Sequence, residues 1–238
     1  MKKHFLKFLG AGAMLLLSLA AHAQKDWDHI EESDILSKDS LTKDGYTLLF
    51  INKDSALDLQ VKQKLIDAFF TVYPKEAELY NTNTAKKVIF IIDPGYDGVA
   101  ATAGHIVRYN PAWFHKHPGD IDVVTHEVMH IVQAYGDRGG PGWITEGIAD
   151  YVRYKFGVDN PGAGWKLPDY SPKQNYDNAY RVTARFFVWI EQKYNKDFVQ
   201  KMDSVMRSGT YTPEIWKQLT GKPVKDLWVE YSKNPGIS

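Results

Sequence analysis

Hydrophobic and polar positions follow different periods in the two halves of the chain. In the first half, short apolar runs at residues 46–51, 88–92 and 105–109 are typical of strands, and the continuous run 88–92 indicates a buried one. Apolar residues at helical spacing predict a helix over 55–80, which Pro74 should end or kink. We expect the run 105–109 to lie at a sheet edge.

The second half of the chain reads as helical from residue 120 onward. The predicted helices lie near 121–135, 143–156, 176–194, 196–207, 213–220 and 223–232. Strands followed by helices predict an α+β fold, in one domain or two tightly packed lobes, and we take 45–238 as a single domain. Residues 24–44 are polar and weakly patterned, and we expect them to form a loose arm.

Residues 1–23 have the parts of a secretory signal peptide. Three lysines open the chain, an apolar run at 8–21 follows, and Ala21-His22-Ala23 matches the A-x-A cleavage signal. The run is shorter than the roughly 20 residues of a membrane-spanning helix, which disfavours an anchor. No cysteine follows it, which excludes a lipid-anchored lipoprotein. We therefore expect a secreted or periplasmic protein.

Composition narrows the chemistry. The chain has 29 basic and 29 acidic residues, and loss of residues 1–23 leaves a net charge of −3, which argues against wrapping nucleic acid. Hydrophobic residues make up 44%, as in ordinary globular proteins. There is no cysteine, so disulfides, iron–sulfur clusters, Cys-ligated zinc and thiol nucleophiles are excluded. Any metal must be held by histidine and carboxylate.

The segment HEVMH at 126–130 carries the strongest chemical signal. On a helix, His126 and His130 lie one above the other on the same face and can chelate one metal ion. Glu127 is turned by about 100° from His126, so it can reach a water on the metal without being a ligand. This spacing suits hydrolysis by a metal-activated water.

A catalytic zinc site normally has a third protein ligand, which must be sought downstream. The turn at 139–142 allows the chain to fold back after the motif helix. Glu146 follows on the next helix as the candidate third ligand. Asp150 lies one turn further, where it can accept the free ring N–H of a ligand histidine.

These residues resemble the basic secretory protein family of plants and its bacterial relatives, which belong to the gluzincin metallopeptidases. The matching segments are HEVMHIVQ at 126–133, WITEGIADYVR at 143–153, YRVTARFF at 180–187, WKQLTGK at 216–222 and VKDLW at 224–228. The residues before the motif match only weakly. One departure is charge, since this chain is neutral rather than basic.

The resemblance implies a zincin-like fold, in which a small lobe with a mixed sheet packs on a helical part carrying the motif helix. It implies that His126, His130 and Glu146 bind one Zn²⁺ ion and that Glu127 is the general base. The developing oxyanion needs a donor. Tyr180 is our candidate, with Tyr176 and His105 as alternatives. By analogy with thermolysin, the strand 105–109 is expected to line the cleft and pair with an extended peptide.

Three functions fit the sequence. The leading one is a secreted zinc endopeptidase, or more broadly a peptidase, that acts on peptide or protein substrates. The second is a non-catalytic extracellular binding protein with a structural metal, and the third is a zinc hydrolase of a non-peptide bond. The presence of Glu127 favours catalysis, since a closed structural site does not need it. We expect a monomer with no nucleic acid partner, and no membrane partner after signal cleavage.

Overall fold

The computed structural model describes Trp27 and residues 29–237. The predicted signal peptide, 1–23, lies outside the described residues. The chain divides into two units, Met1–Ile35 and Leu36–Ser238. The described residues of the first unit include a 3₁₀ turn at Glu32–Asp34. All the elements below belong to the second unit.

One mixed sheet forms the first part of the second unit. Its strands are β1 (Ser37–Lys43), β2 (Tyr46–Asn52), β3 (Lys87–Ile92), β4 (Ala100–Ala103) and β5 (Ile106–Tyr109). They lie in the order β1-β2-β3-β5-β4. The central pairs, β2 with β3 and β3 with β5, are parallel, and the outer pairs are antiparallel. The parallel centre is mostly apolar, whereas β1, at one edge of the sheet, is mostly polar, as expected for a strand with a free edge.

Helices make up the rest of the unit. They are α1 (Leu59–Tyr80), α2 (Pro111–Lys116), α3 (Val123–Gln133), α4 (Gly142–Phe156), α5 (Tyr180–Lys193), α6 (Phe198–Arg207), α7 (Ile215–Thr220) and α8 (Val224–Lys233). α3 packs against α1, α4 and β4, and α4 packs against α5. The predicted α+β fold is confirmed. Within the described residues, no helix combines the length and apolar character needed to cross a bilayer.

The expectation of a loose arm over 24–44 is wrong for its last part, because β1 occupies Ser37–Lys43. β1 pairs with β2 through a two-residue turn, in which Asp44 and Gly45 have φ of 51° and 80°. Such a turn matches the twist of a hairpin. Leu41 is the only large apolar residue of this edge strand, so its sequence gave no clear alternation of apolar and polar residues.

The expectation that 105–109 forms the sheet edge is also wrong. β4 lies outside β5, and all four residues of β5 are buried, as befits a strand with a neighbour on each side. β4 has the sequence AATA, whose small side chains give no strand signal. The strand at this edge of the sheet is therefore β4, and β1 lies at the other edge.

Pro74 does not end its helix, since α1 continues to Tyr80. Buried residues lie on both sides of the proline, with Tyr73 before it and Glu76 and Ala77 after it. Packing of this face against α3 offsets the hydrogen bond that proline cannot donate.

Candidate metal centre

α3 carries two histidines in the interior of the second unit. All its residues are buried except His130, which is half-buried. Apolar side chains on the other faces of α3 pack into the core, so the helix cannot turn its histidines elsewhere. The imidazoles of His126 and His130 lie edge to face at 4.9 Å between centroids, and their Nε2 atoms are 3.2 Å apart.

α4 brings a carboxylate to the same point. α3 ends at Ala134, which has φ of 44°, and a turn through Gly140 at φ of 85° reverses the chain. α4 then begins at Gly142. Glu146 Oε2 lies 3.2 Å from Nε2 of His126 and 3.6 Å from Nε2 of His130.

These three groups fit a zinc ion. Their ligand atoms all lie within 4.8 Å of one another. Zn–N and Zn–O bonds of about 2.0–2.1 Å at a tetrahedral angle place neighbouring ligand atoms about 3.3 Å apart. The observed separations of 3.2, 3.2 and 3.6 Å are close to this value. Two nitrogens and one carboxylate oxygen are also a common donor set for catalytic zinc.

Both histidines are oriented through their other ring nitrogen. Nδ1 of His126 lies 2.7 Å from Oδ1 of Asp150, and Nδ1 of His130 lies 2.8 Å from Oε1 of Gln133. The amide nitrogen of Gln133 in turn donates to the carbonyl of Thr145, 2.9 Å away. Because acceptors face both Nδ1 atoms, the protons belong there, and both Nε2 lone pairs point at each other. Two unprotonated nitrogens at this distance repel each other, and a cation bound between them would remove the repulsion.

The electrostatics favour positive charge at this point. Burial lowers the pKa of His126, but hydrogen bonds to Asp150 and Glu146 outweigh it and raise that pKa to about 10. Burial raises the pKa of Glu146, but hydrogen bonds to His126 and His130 lower it well below its usual range. Without a metal, a proton on His126 takes the place of the cation.

Glu127 lies beside the three groups without joining them. Its side chain is buried, and Oε2 accepts a hydrogen bond of 2.7 Å from the hydroxyl of Thr102 on β4. The same hydroxyl lies 3.0 Å from the main-chain carbonyl of Glu127. Oε1 of Glu127 has no hydrogen bond within the described residues. The sequence analysis did not identify Thr102, and nothing in the stretch AATAG marks it.

The three oxyanion candidates occupy different places. Tyr180 lines the cavity over the metal centre, is 54% exposed, and stacks on His126 at 6.0 Å between centroids. The negative charge of Glu146, followed by burial, raises the pKa of Tyr180, which keeps its hydroxyl protonated. Tyr176 packs against Trp143 instead, and His105 lies at a second cavity.

Strained backbone positions Tyr180. The helix predicted to start near 176 starts four residues later, at Tyr180, because Ala179 and Tyr180 have φ of 62° and 48°. With ψ of −174°, Ala179 lies in a region that is essentially limited to glycine. Such strain persists only where the surroundings enforce it.

A cavity of about 1140 Å³ opens over the metal centre. The loop after α4 forms one wall and is fastened to the start of α3, because Asp122 accepts hydrogen bonds from the main chain of Val158 and Asp159 at 2.5 and 2.6 Å. Arg153 lies over the ring of Trp165 and forms an ion pair with Asp120 at 2.5 Å. The wall is thus tied to the helix that carries the histidines.

Comparison with protein families matches residues 32–231 to the BSP family, described as "Peptidase of plants and bacteria". The chain belongs to this peptidase family. The resemblance to the basic secretory proteins is therefore confirmed, and it extends further toward the N-terminus than the segments quoted from the sequence. A comparison with curated proteins finds no match.

One solved structure shows a related architecture, and a second matches more weakly. Aminopeptidase A of Legionella pneumophila, in complex with aspartic acid, matches with a TM-score of 0.57 and 15% identity, over 82% of this chain and 27% of that chain. A mutant of a two-domain M1 zinc metallopeptidase bound to L-tryptophan matches with a TM-score of 0.43 and 13% identity, over 84% of this chain and 48% of that one. This chain thus spans between about a quarter and a half of these relatives. The first match shows that this chain shares the fold of part of that aminopeptidase, in agreement with the predicted zincin-like fold.

Proposed function

We propose that this protein is a secreted zinc-dependent peptidase that hydrolyses peptide bonds with an activated water. The observation that carries the proposal is the convergence of His126, His130 and Glu146 on one point, with Glu127 beside them under an open cavity. Membership of a peptidase family supports the same class of substrate.

The residues divide the chemistry among themselves. His126, His130 and Glu146 would hold the zinc ion, which would supply a Lewis acid able to lower the pKa of water toward about 7 and to polarise a peptide carbonyl. The hydroxyl of Thr102 occupies Oε2 of Glu127 and leaves Oε1 free to take the proton of the attacking water. Glu127 then delivers this proton to the leaving amine.

Substrate positioning falls to β4 rather than to the strand 105–109. The N–H of Asn110 donates to the carbonyl of Val99 at 3.0 Å, so these residues form a hydrogen-bonded pair in the β4–β5 register. Bonded and non-bonded positions alternate along an antiparallel pair. Ala100 and Thr102 therefore turn their main-chain groups away from β5, toward the cleft that they line. An extended peptide can pair there.

Tyr180 is the candidate donor to the oxyanion. Its hydroxyl belongs to a side chain that is exposed to the cavity and stacked on a proposed ligand, His126. A neutral phenol beside a developing negative charge stabilises that charge by a hydrogen bond. Replacement of Tyr180 with phenylalanine should therefore lower kcat more than it raises KM.

The decisive experiment combines metal analysis with peptide cleavage. Purified protein lacking residues 1–23 should contain one zinc per chain and cleave fluorogenic peptides, and a chelator should abolish both properties. Glu127→Gln should keep the zinc and lose turnover. Glu78→Gln, at an exposed position of α1, is the matched control and should keep full activity.

The alternative of a structural metal in a binding protein predicts another result. Removal of zinc would then lower the melting temperature, with no peptide cleavage to lose at any stage. The open cavity above the three groups favours catalysis, because a structural site is closed by four protein ligands. Cleavage by Glu127→Gln at the wild-type rate would overturn the role of Glu127 as base.

The proposed location rests on residues 1–23 alone. Their charged start, apolar run and Ala21-His22-Ala23 support export. Expression of the full chain in a bacterium, followed by cell fractionation and mass spectrometry, should give a product that begins at Gln24 outside the cytoplasm. A product that retains Met1 in the cytoplasm would refute this part.

A further inference from the structure

A second cavity shares part of its lining with the cavity over the candidate metal centre. It has a volume of about 510 Å³, and it shares Thr102, His130 and Tyr135 with the larger cavity of about 1140 Å³. Because both cavities reach Thr102, His130 and Tyr135 while the rest of their linings differ, we infer that they are two parts of one cleft that meet at His130. A cleft of this kind extends past the reacting bond on both sides.

β4 forms a common wall of this cleft. The larger cavity is lined by the chain from Gly98 to Thr102, and the smaller one by Thr102, Gly104 and His105. The main-chain groups of Ala100 and Thr102 face the cleft, as derived above from the pairing of β4 with β5. Thr102, which contacts Glu127, lies near the middle of this wall, so a paired peptide extends beyond the centre in both directions.

Apart from Glu127, whose Oε1 is assigned to the attacking water, no carboxylate among the described residues that line the cleft is left for a substrate's terminal amine. The acidic side chains that line the two cavities already have partners within the described residues. Asp120 pairs with Arg153, Glu127 with Thr102, and both Glu146 and Asp150 with His126. The smaller cavity is lined by neutral polar and apolar residues and by histidines. An enzyme specific for free N-termini needs such a partner to bind the ammonium group.

One cation is placed to meet a terminal carboxylate. Arg181 lines the larger cavity, is exposed, and forms no ion pair within the described residues. Since it stands at the exposed start of α5 in a wide cavity, it does not close that end of the cleft. If the enzyme were instead a carboxypeptidase, Arg181 would be the residue that binds the terminal carboxylate, and amidation of the peptide or loss of Arg181 would abolish cleavage.

We propose that the cleft binds an internal stretch of an extended peptide across the metal centre, so that the enzyme is an endopeptidase indifferent to free termini. This inference rests on the proposed function and goes beyond it. It also separates this chain from its structural relative, which is an aminopeptidase by name.

The test uses zinc-loaded protein and one set of internally quenched peptides of ten residues. Each sequence is made with both ends free, with an acetylated N-terminus, with an amidated C-terminus, and with both ends blocked. We expect cleavage at internal bonds, with kcat/KM of the four forms within about threefold. A loss of 100-fold or more on acetylation, or on amidation together with a matching loss in Arg181→Gln, overturns the inference in favour of an exopeptidase. Absence of cleavage of every form overturns the proposed function itself, and the inference falls with it.

A second experiment tests the smaller cavity directly. Asn83 lines it from an exposed position, so Asn83→Trp should narrow it without disturbing the core. Thr82→Trp, at the exposed neighbour that does not line the cavity, is the matched control.

The readout is binding of the doubly blocked peptide to proteins that also carry Glu127→Gln, measured by fluorescence anisotropy, which does not depend on turnover. Asn83→Trp should weaken binding of the ten-residue peptide about tenfold, while Thr82→Trp changes it less than twofold. Equal affinity of all three proteins would show that peptides do not enter the smaller cavity, and it would overturn the two-sided cleft.

Discussion

The hydrogen bond from Thr102 to Glu127 offers the sharpest test of how this centre works. Thr102→Val keeps the shape of the side chain and removes the hydroxyl that lies 2.7 Å from Oε2 of Glu127. A hydrogen bond to a charged group contributes about 1.5–3 kcal/mol. If the bond holds Glu127 in position for proton transfer, its loss corresponds to a decrease in kcat of about 10- to 150-fold.

The expected changes separate positioning from folding. The main chain of residue 102 remains, so KM should change less than about threefold, and zinc content and melting temperature should stay near the wild-type values. Thr102→Ser restores a hydroxyl and should recover most of the activity. The assay is steady-state cleavage of a fluorogenic peptide. A Thr102→Val protein with kcat within twofold of wild type would refute the reasoning, as would a serine variant that is as slow as the valine one.

Two further predictions concern metal affinity and pH. Asp150→Asn should weaken zinc binding about 10- to 100-fold in a chelator competition, because the amide cannot supply the charge that orients His126, whereas the exposed control Asp169→Asn should not. Glu76 is buried with no hydrogen bond to either carboxylate oxygen within the described residues, and burial raises its pKa well above the usual value. As the pH rises, Glu76 therefore loses its proton at a lower pH in the unfolded chain than in the folded protein. Between about pH 4.5 and the pKa of Glu76 in the folded protein, the free energy of unfolding of the wild type falls by about 1.4 kcal/mol per pH unit. Glu76→Gln should lack this loss, so its free energy of unfolding in urea should rise relative to that of the wild type between pH 5 and pH 7. An equal dependence of the unfolding free energy on pH in the two proteins would contradict the assignment.

Local spacing was enough to predict the parts of the site that lie on α3 and α4. Residues four apart on a helix share a face, and the structure does bring His126, His130 and Glu146 together. The turn at 139–142 was sufficient to predict the reversal between the two helices. These relations are set within about 20 residues of chain, where sequence patterns are most informative.

The missing parts depend on contacts between distant segments. Thr102 meets Glu127 only because β4 lies along α3, and the pairing of β4 outside β5 cannot be derived from AATA. β1 is likewise polar and was missed, because its main-chain pairing with β2 holds it in the sheet and it has no buried residue to mark it. Pro74 shows the reverse case, in which packing outweighs a local signal that predicts a helix end.

The burial of α3 also determines where the molecule can move during turnover. This helix is held between α1 and α4 and has almost no exposed surface, so it cannot swing aside to admit a substrate. If the cavity opens to admit a substrate, we expect the change in the opposite wall, which is formed by the segment after α4 and the start of α5. That wall is attached to the start of α3 by the hydrogen bonds that Asp122 accepts from Val158 and Asp159. We therefore expect substitution of Asp122 to change the rate of product release and to leave the rate of peptide-bond cleavage unchanged.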